Sequence, residues 1–116
     1  MKITVIGAGN MGGSLVHGWC RAGLASQITI TARTQATLDR FSSLYPELTT
    51  TTDNAQAVSG ADVVILAVKP WLVDEVIDQI KESLRVSNPL FVSVAAGVRN
   101  ARINVYAMPN IAAEYG

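Results

Sequence analysis

The stretch Met1-Lys-Ile-Thr-Val-Ile-Gly-Ala-Gly-Asn-Met-Gly12 decides the fold. A short apolar run, Ile3 to Ile6, leads directly into Gly7-x-Gly9-x-x-Gly12, and a stretch with helical spacing follows. Each glycine has its own task in such a strand–turn–helix unit. Gly7 lets the chain turn sharply out of the strand, Gly9 lets backbone approach a pyrophosphate where a Cβ would collide, and Gly12 lets the helix pack close to the sheet. The unpaired amides of the first helical turn, at the positive end of the helix dipole, then face the anion. Glycines also cluster in ordinary turns. The motif points to a dinucleotide because a strand precedes it and a helix follows.

At 116 residues the chain is expected to form one domain with a real core. Apolar residues make up 49% and charged residues 16%, which excludes a disordered chain. Nine basic and nine acidic residues give no net charge, so neither nucleic acid nor an anionic membrane is an expected partner. The first apolar run is too short for a signal peptide, and no stretch approaches a membrane span, so a cytoplasmic location is expected. The single Cys20 excludes an internal disulfide and a cysteine zinc site. It reads as a packing thiol, and the single His17, without nearby ligands, as a partly buried or polar-face residue; no metal is expected.

Strand-like and helix-like segments alternate along the chain. Strands are predicted at Lys2–Ile6, Gln27–Ala32, Thr49–Thr51, Asp62–Val68, Leu90–Val94 and Ile103–Met108. The first helix, Asn10–Ala22, places Met11, Leu15, Gly18, Trp19 and Ala22 on one stripe. The second is capped by Thr34, carries Leu38, Phe41 and Leu44, and is stopped by Pro46. Asp53 caps a brief helix, Asn54–Ser59. Pro70 opens a fourth, whose inner face is Leu72, Val73, Val76, Ile77, Ile80 and Leu84, with Asp74, Glu75, Asp78 and Lys81 in water. The pattern is that of an α/β, three-layer Rossmann fold with a mainly parallel, doubly wound sheet. Only Ala96 to Arg102 separate the last two strands, too few for a parallel crossover. The last strand is antiparallel, or the crossover is lost, or residues are missing between Val98 and Ile103; the third is the favoured expectation.

The end of the second strand selects the dinucleotide. An acid there usually accepts hydrogen bonds from the NAD ribose, but this chain has Ala32-Arg33-Thr34. Arg33 can pair with a 2′-phosphate and Thr34 can add a hydroxyl, so NADP is expected over NAD. The alternative for Arg33 is a solvated loop residue. The fourth strand ends in Ala67-Val68-Lys69-Pro70, where ligands of such sheets bind; Lys69 is expected to bind rather than catalyse. Ala95-Ala96-Gly97 permits close approach to the nicotinamide or simply makes a tight turn. No nucleophile–base–orienter set is present in the sequence, so any chemistry belongs to the cofactor.

Gly7-Ala-Gly-Asn-Met-Gly12, Ala67-Val-Lys-Pro70, Ser93-Val-Ala-Ala-Gly-Val98 and Met108-Pro-Asn110 together resemble the pyrroline-5-carboxylate reductase family, in that family's order. F420-dependent NADP reductases share the first motif and less of the other three. The resemblance implies NADPH-dependent reduction of Δ1-pyrroline-5-carboxylate, a small imino acid, to L-proline. It implies that Gly9, Asn10, Met11 and Gly12 hold the pyrophosphate, with Arg33 and Thr34 on the 2′-phosphate and Asn54 on the adenosine side. Ala67 and Lys69 would line the nicotinamide half, and Ala96, Gly97 and Asn110 would lie nearest the ring and substrate. Tyr106-Ala107 stands where the family usually has an arginine, and Ile111-Ala112 where it has Thr-Pro. The family continues into a helical C-terminal domain that forms the dimer and much of the substrate pocket. That domain is expected outside this sequence, the full-length protein is expected to be a homo-oligomer, and the fragment alone is expected to be inactive. The alternatives are another NADP oxidoreductase of the superfamily and a nucleotide-binding module without turnover.

Overall fold

The apolar runs pair side by side and the amphipathic runs cover them. The computed structural model describes residues 1–95 and 102–106. β1 (Ile3–Ile6) is followed by α1 (Asn10–Arg21), β2 (Ile28–Thr31), α2 (Gln35–Leu44) and β3 (Thr49–Thr51). Then come α3 (Asn54–Val58), β4 (Val63–Leu66), α4 (Val73–Ser87), β5 (Leu90–Ala95) and β6 (Arg102–Tyr106). The sheet order is β3-β2-β1-β4-β5-β6, and the first five strands are parallel. The chain steps outward from β1 to β3, then returns to lay β4 on the other side of β1. That reversal opens a crevice beyond the carboxyl ends of β1 and β4.

The strand period of two splits the core into two layers. Val5, Ile28, Ile30, Ile65 and Val94 pack with Val16 of α1 and with Leu38 and Phe41 of α2. Ile6, Val64, Leu66 and Phe91 pack on the other face with Val58 of α3 and with Val73, Val76, Ile80 and Leu84 of α4. Polar side chains inside the sheet are satisfied. Thr4, fully buried, donates its hydroxyl to the Ala57 carbonyl at 2.6 Å. Among the described residues no buried side-chain nitrogen or oxygen lacks a partner.

Both expected caps are present. Thr34 Oγ1 accepts from the Thr37 amide at 3.4 Å, and Asp53 Oδ1 from the Gln56 amide at 3.1 Å. Pro70 begins a single 3-10 turn, Pro70–Leu72, that runs into α4. Two helical stripes differ from expectation. In α1 Leu15 and Trp19 pack against the core as expected, but the fully buried side chain is the adjacent Val16, and Gly18 and Ala22 are exposed, because the seating of Gly12 against the β1 turn rotates the buried face toward Val16. Leu44, in the last turn of α2, is 63% exposed because the helix ends before returning to the core. β1, β2 and β4 are each shorter than predicted, since Lys2, Gln27, Ala32, Asp62, Ala67 and Val68 lie in the connections.

The pairing sense of the last strand is one of the three alternatives left open by the sequence. β6 is antiparallel to β5, with Phe91 opposite Tyr106 and Ala95 opposite Arg102. An antiparallel return can be made by a hairpin-sized link, and the expected gap between Val98 and Ile103 falls outside the described residues. The link itself lies outside the described residues, as do Ala107 and Met108 at the end of the predicted strand.

Two glycines of α1 should respond oppositely to alanine. A Cβ on Gly12 would run into the Gly7 carbonyl oxygen and stand 3.2 Å from Ala67 Cβ, whereas one on Gly18 meets nothing within 4 Å. Overpacking costs about 1–3 kcal/mol and outweighs the helix-propensity gain of about 1 kcal/mol, so Gly12→Ala is expected to lower the melting temperature. Gly18→Ala keeps only the gain and is expected to raise it by roughly 4–8 °C per kcal/mol. Thermal unfolding of both variants checks the pair; a stabilised Gly12→Ala protein contradicts the close approach.

Candidate dinucleotide-binding site

The turn after β1 is held from both sides. Gly7 has φ of +92°, and a Cβ there would lie 2.8 Å from Val68 Cγ1 and 2.9 Å from the Ala67 carbonyl oxygen. The Gly7 and Ala8 amides donate to the Thr31 carbonyl at 3.2 and 2.9 Å, and the Ala67 amide donates to the Ile6 carbonyl at 2.9 Å. The ends of β1, β2 and β4 are thereby locked together. Gly9 differs from its two companions. Its φ is −87°, and nothing lies within 4 Å of where its Cβ would be. The packing of the protein does not require glycine there, so the space it leaves belongs to whatever fills the crevice. Gly9 also caps α1 without a side-chain bond, and the first turn carries no acid. The amides before Gly13, whose N–H reaches the Gly9 carbonyl at 2.7 Å, have no acceptor within the helix and suit an anion.

Two adjoining cavities make up the crevice. One, of about 260 Å³, is lined by Gly7, Gly9, Arg33, Thr34, Ala67 and Lys69, together with Thr37 and Leu72. The next, of about 250 Å³, shares Gly7, Arg33 and Leu72 and adds Thr52, Asn54, Glu75, Val76 and Gln79. Here the Asn54 side-chain amide donates to Gln79 Oε1 at 2.8 Å. Among the described residues the ion pairs are Lys81–Asp78 and Arg85–Glu82, both on α4. No described carboxylate therefore neutralises Arg33 or Lys69, and both are exposed.

Seven of the expected site residues thus line one crevice. Gly12 lies buried beneath it, and Asn10 and Met11 open α1 at its edge. Ala96, Gly97 and Asn110 lie outside the described residues. Sequence reasoning missed Thr37, Thr52 and the α4 contribution of Glu75, Val76 and Gln79. Thr37 was findable, three residues after Thr34 on the same helix face. The α4 residues were not, because only the fold brings α4 beside Asn54.

This geometry agrees with what the chain is similar to. The family described as NADP oxidoreductase, coenzyme F420-dependent, matches residues 2–97. The chain belongs to that family. It is 35% identical to a pyrroline-5-carboxylate reductase of Vibrio alginolyticus over 125 positions, covering 99% of this chain and 45% of the relative. A solved pyrroline-5-carboxylate reductase from Coxiella burnetii is 38% identical with a TM-score of 0.77, covering 83% of this chain and 36% of that one. An imine reductase from Myxococcus stipitatus, solved with NADP+, is 25% identical with a TM-score of 0.68, covering 84% and 32%. The chain spans less than half the length of the curated relatives it matches.

The remaining reactive groups of this NADP oxidoreductase family member serve packing. His17 Nδ1 lies 2.7 Å from the Tyr45 hydroxyl, and its ring stacks on Phe41 at 5.0 Å. Among the described residues no cluster of metal-ligating side chains occurs, and no helix is long and apolar enough to cross a membrane. Cys20 is a half-buried free thiol, and burial pushes its pKa above the ordinary cysteine value. The thiolate is the nucleophile, so raising the pKa moves its appearance to higher pH. Alkylation of Cys20 by iodoacetamide is therefore expected to rise with pH later than that of a free cysteine. A midpoint below that of the free amino acid contradicts the packing role.

Proposed function

We propose that the crevice binds NADPH in preference to NADH, and that this chain is the cofactor-binding domain of a cytoplasmic pyrroline-5-carboxylate reductase. The observation that carries the reading is the end of β2. Ala32-Arg33-Thr34 presents a guanidinium and a hydroxyl where an NAD site keeps a carboxylate. Thr34 Oγ1 accepts the Thr37 amide as a helix cap, which leaves its O–H available as a donor. Arg33, free of any described acid, supplies a planar fork suited to a phosphate.

The other roles follow the crevice. The backbone from Gly9 through Asn10 and Met11 to Gly12 takes the pyrophosphate. Asn54, its amide group turned to Gln79, keeps its carbonyl oxygen as an acceptor for the adenosine side. Ala67 and Lys69 border the nicotinamide half, with Ala96, Gly97 and Asn110 assigned to the ring and the substrate. Bound there, NADPH supplies the hydride that, with one proton, reduces a C=N bond to an amine and leaves NADP+. The names of the Vibrio, Coxiella and Myxococcus proteins all describe that reaction class. Hydride transfer also needs the imine held against the cofactor in near-attack geometry. We assign that task, and homo-oligomer formation, to a helical C-terminal domain of the full-length protein.

Titration with NADPH and NADH, followed through energy transfer from the exposed Trp71 beside Leu72, tests the cofactor assignment. A charged hydrogen-bonded phosphate contributes about 1.5–3 kcal/mol, so NADPH is expected to bind at least roughly tenfold tighter, and Arg33→Ala to erase most of the difference. Equal affinities would overturn the assignment. The 116-residue polypeptide alone is expected to form no proline from pyrroline-5-carboxylate and NADPH. Robust turnover would place the substrate pocket within this chain.

A further inference from the structure

We propose that Arg40, acting with Thr37, is a second grip on the 2′-phosphate, so that discrimination between NADPH and NADH is shared by two arginines on different elements. The inference rests on the NADPH reading above and deepens it. Thr34, Thr37 and Arg40 follow one another at intervals of three residues, which stacks them on one face of α2. Their polar ends form a ladder. Thr34 Oγ1 and Thr37 Oγ1 are 3.0 Å apart, and Arg40 Nη2 reaches Thr37 Oγ1 at 3.5 Å.

The ladder joins two spaces. Thr37 lines both the 260 Å³ cofactor cavity and a groove of about 470 Å³ between α1 and α2, in whose wall Arg40 stands. Gly9 borders both spaces as well, so the groove opens directly onto the phosphate side of the crevice. Long helical side chains lean toward the helix N-terminus, which carries the Arg40 guanidinium toward Thr34 and the end of β2. A structural role does not account for the charge. Its one hydrogen bond to a described residue is the long bond to Thr37, leaving most of its five donors to water. Asp39, its neighbour on α2, is engaged by the Gln35 side-chain amide at 3.0 Å, and no described carboxylate pairs with Arg40. Two guanidiniums without a described carboxylate partner thus accompany the Thr34–Thr37 hydroxyl pair, Arg33 in the wall of the cofactor cavity and Arg40 in that of the groove that adjoins it through Thr37. A phosphate dianion is the group that satisfies all four.

The test uses the 116-residue chain and four ligands, NADPH, NADH, 2′,5′-ADP and 5′-AMP, titrated against wild type, Arg40→Gln, Arg40→Lys and Arg33→Gln. Arg40→Gln is expected to weaken NADPH and 2′,5′-ADP by about tenfold, leaving NADH and 5′-AMP within about twofold, with Arg40→Lys intermediate. Its melting temperature is expected to match wild type, because the side chain is exposed. If Arg33→Gln loses NADPH selectively while Arg40→Gln does not, the proposal fails and the NADPH reading stands. Loss of NADPH and NADH alike in Arg40→Gln also overturns it. A wild-type chain that binds NADPH and NADH equally overturns both.

Discussion

The close seating of α1 on the turn after β1 is the constraint from which the site follows. Gly12 stands where a Cβ would strike the Gly7 carbonyl, and Gly7 where a Cβ would strike Val68 and Ala67. Lifting the helix by a methyl group would move the turn and strain the Gly7 and Ala8 bonds to Thr31. Thr31 is the last residue of β2, and Ala32, Arg33 and Thr34 follow it immediately. The first turn of α1 and Arg33, the two groups to which phosphate binding is assigned above as a proposal, are therefore tied to each other through the Gly7, Ala8 and Thr31 backbone. An induced rearrangement is not needed to bring them together.

The second half of the crevice is positioned by a different device. Parallel strands buried on both faces are normally apolar, yet Thr4 is fully buried at the centre of β1. Its hydroxyl bond to Ala57 ties α3 to the sheet. α3 has only five residues and could not hold its own position through helix propensity. Anchored by Thr4, by the Asp53 cap and by buried Ala57 and Val58, it presents Asn54 to Gln79 of α4. A polar group inside the core thus specifies where a polar group at the site will stand.

What was legible in the sequence was local chemistry. The glycine turn, the Thr34 and Asp53 caps, the Pro70 helix start and the unbroken apolar β4 each carry their reason within a few residues. What was not legible depended on distant partners. The α1 stripe is legible at Leu15 and Trp19 but not at Val16, because Gly12, with no side chain to register as apolar, marks the centre of the face pressed to the β1 turn. Leu44 has the correct spacing and no core to meet. Gln79 reads as one more solvated helix residue until α3 is laid beside α4. The pairing sense of β6 follows from the length of a link, a quantity that favours a hairpin over a crossover but names neither partner nor register.

The division between cofactor and substrate recognition follows from where charge is placed. Arg33 and Lys69 sit at the ends of β2 and β4, on opposite sides of the β1 turn, without described acids to neutralise them. Exposed like charges across a crevice repel only weakly through water, so the free domain tolerates them. An anion entering between them gains interactions with both, and with the α1 amides, while displacing the repulsion. Binding to the folded state alone then stabilises the domain by mass action. Glu75 lines the adjoining cavity with Asn54, Gln79 and Arg33 and does not line the one that holds Lys69. The described walls thus offer the proposed dinucleotide two cations and the α1 amides, while the groups assigned to the nicotinamide and the substrate fall outside the described residues.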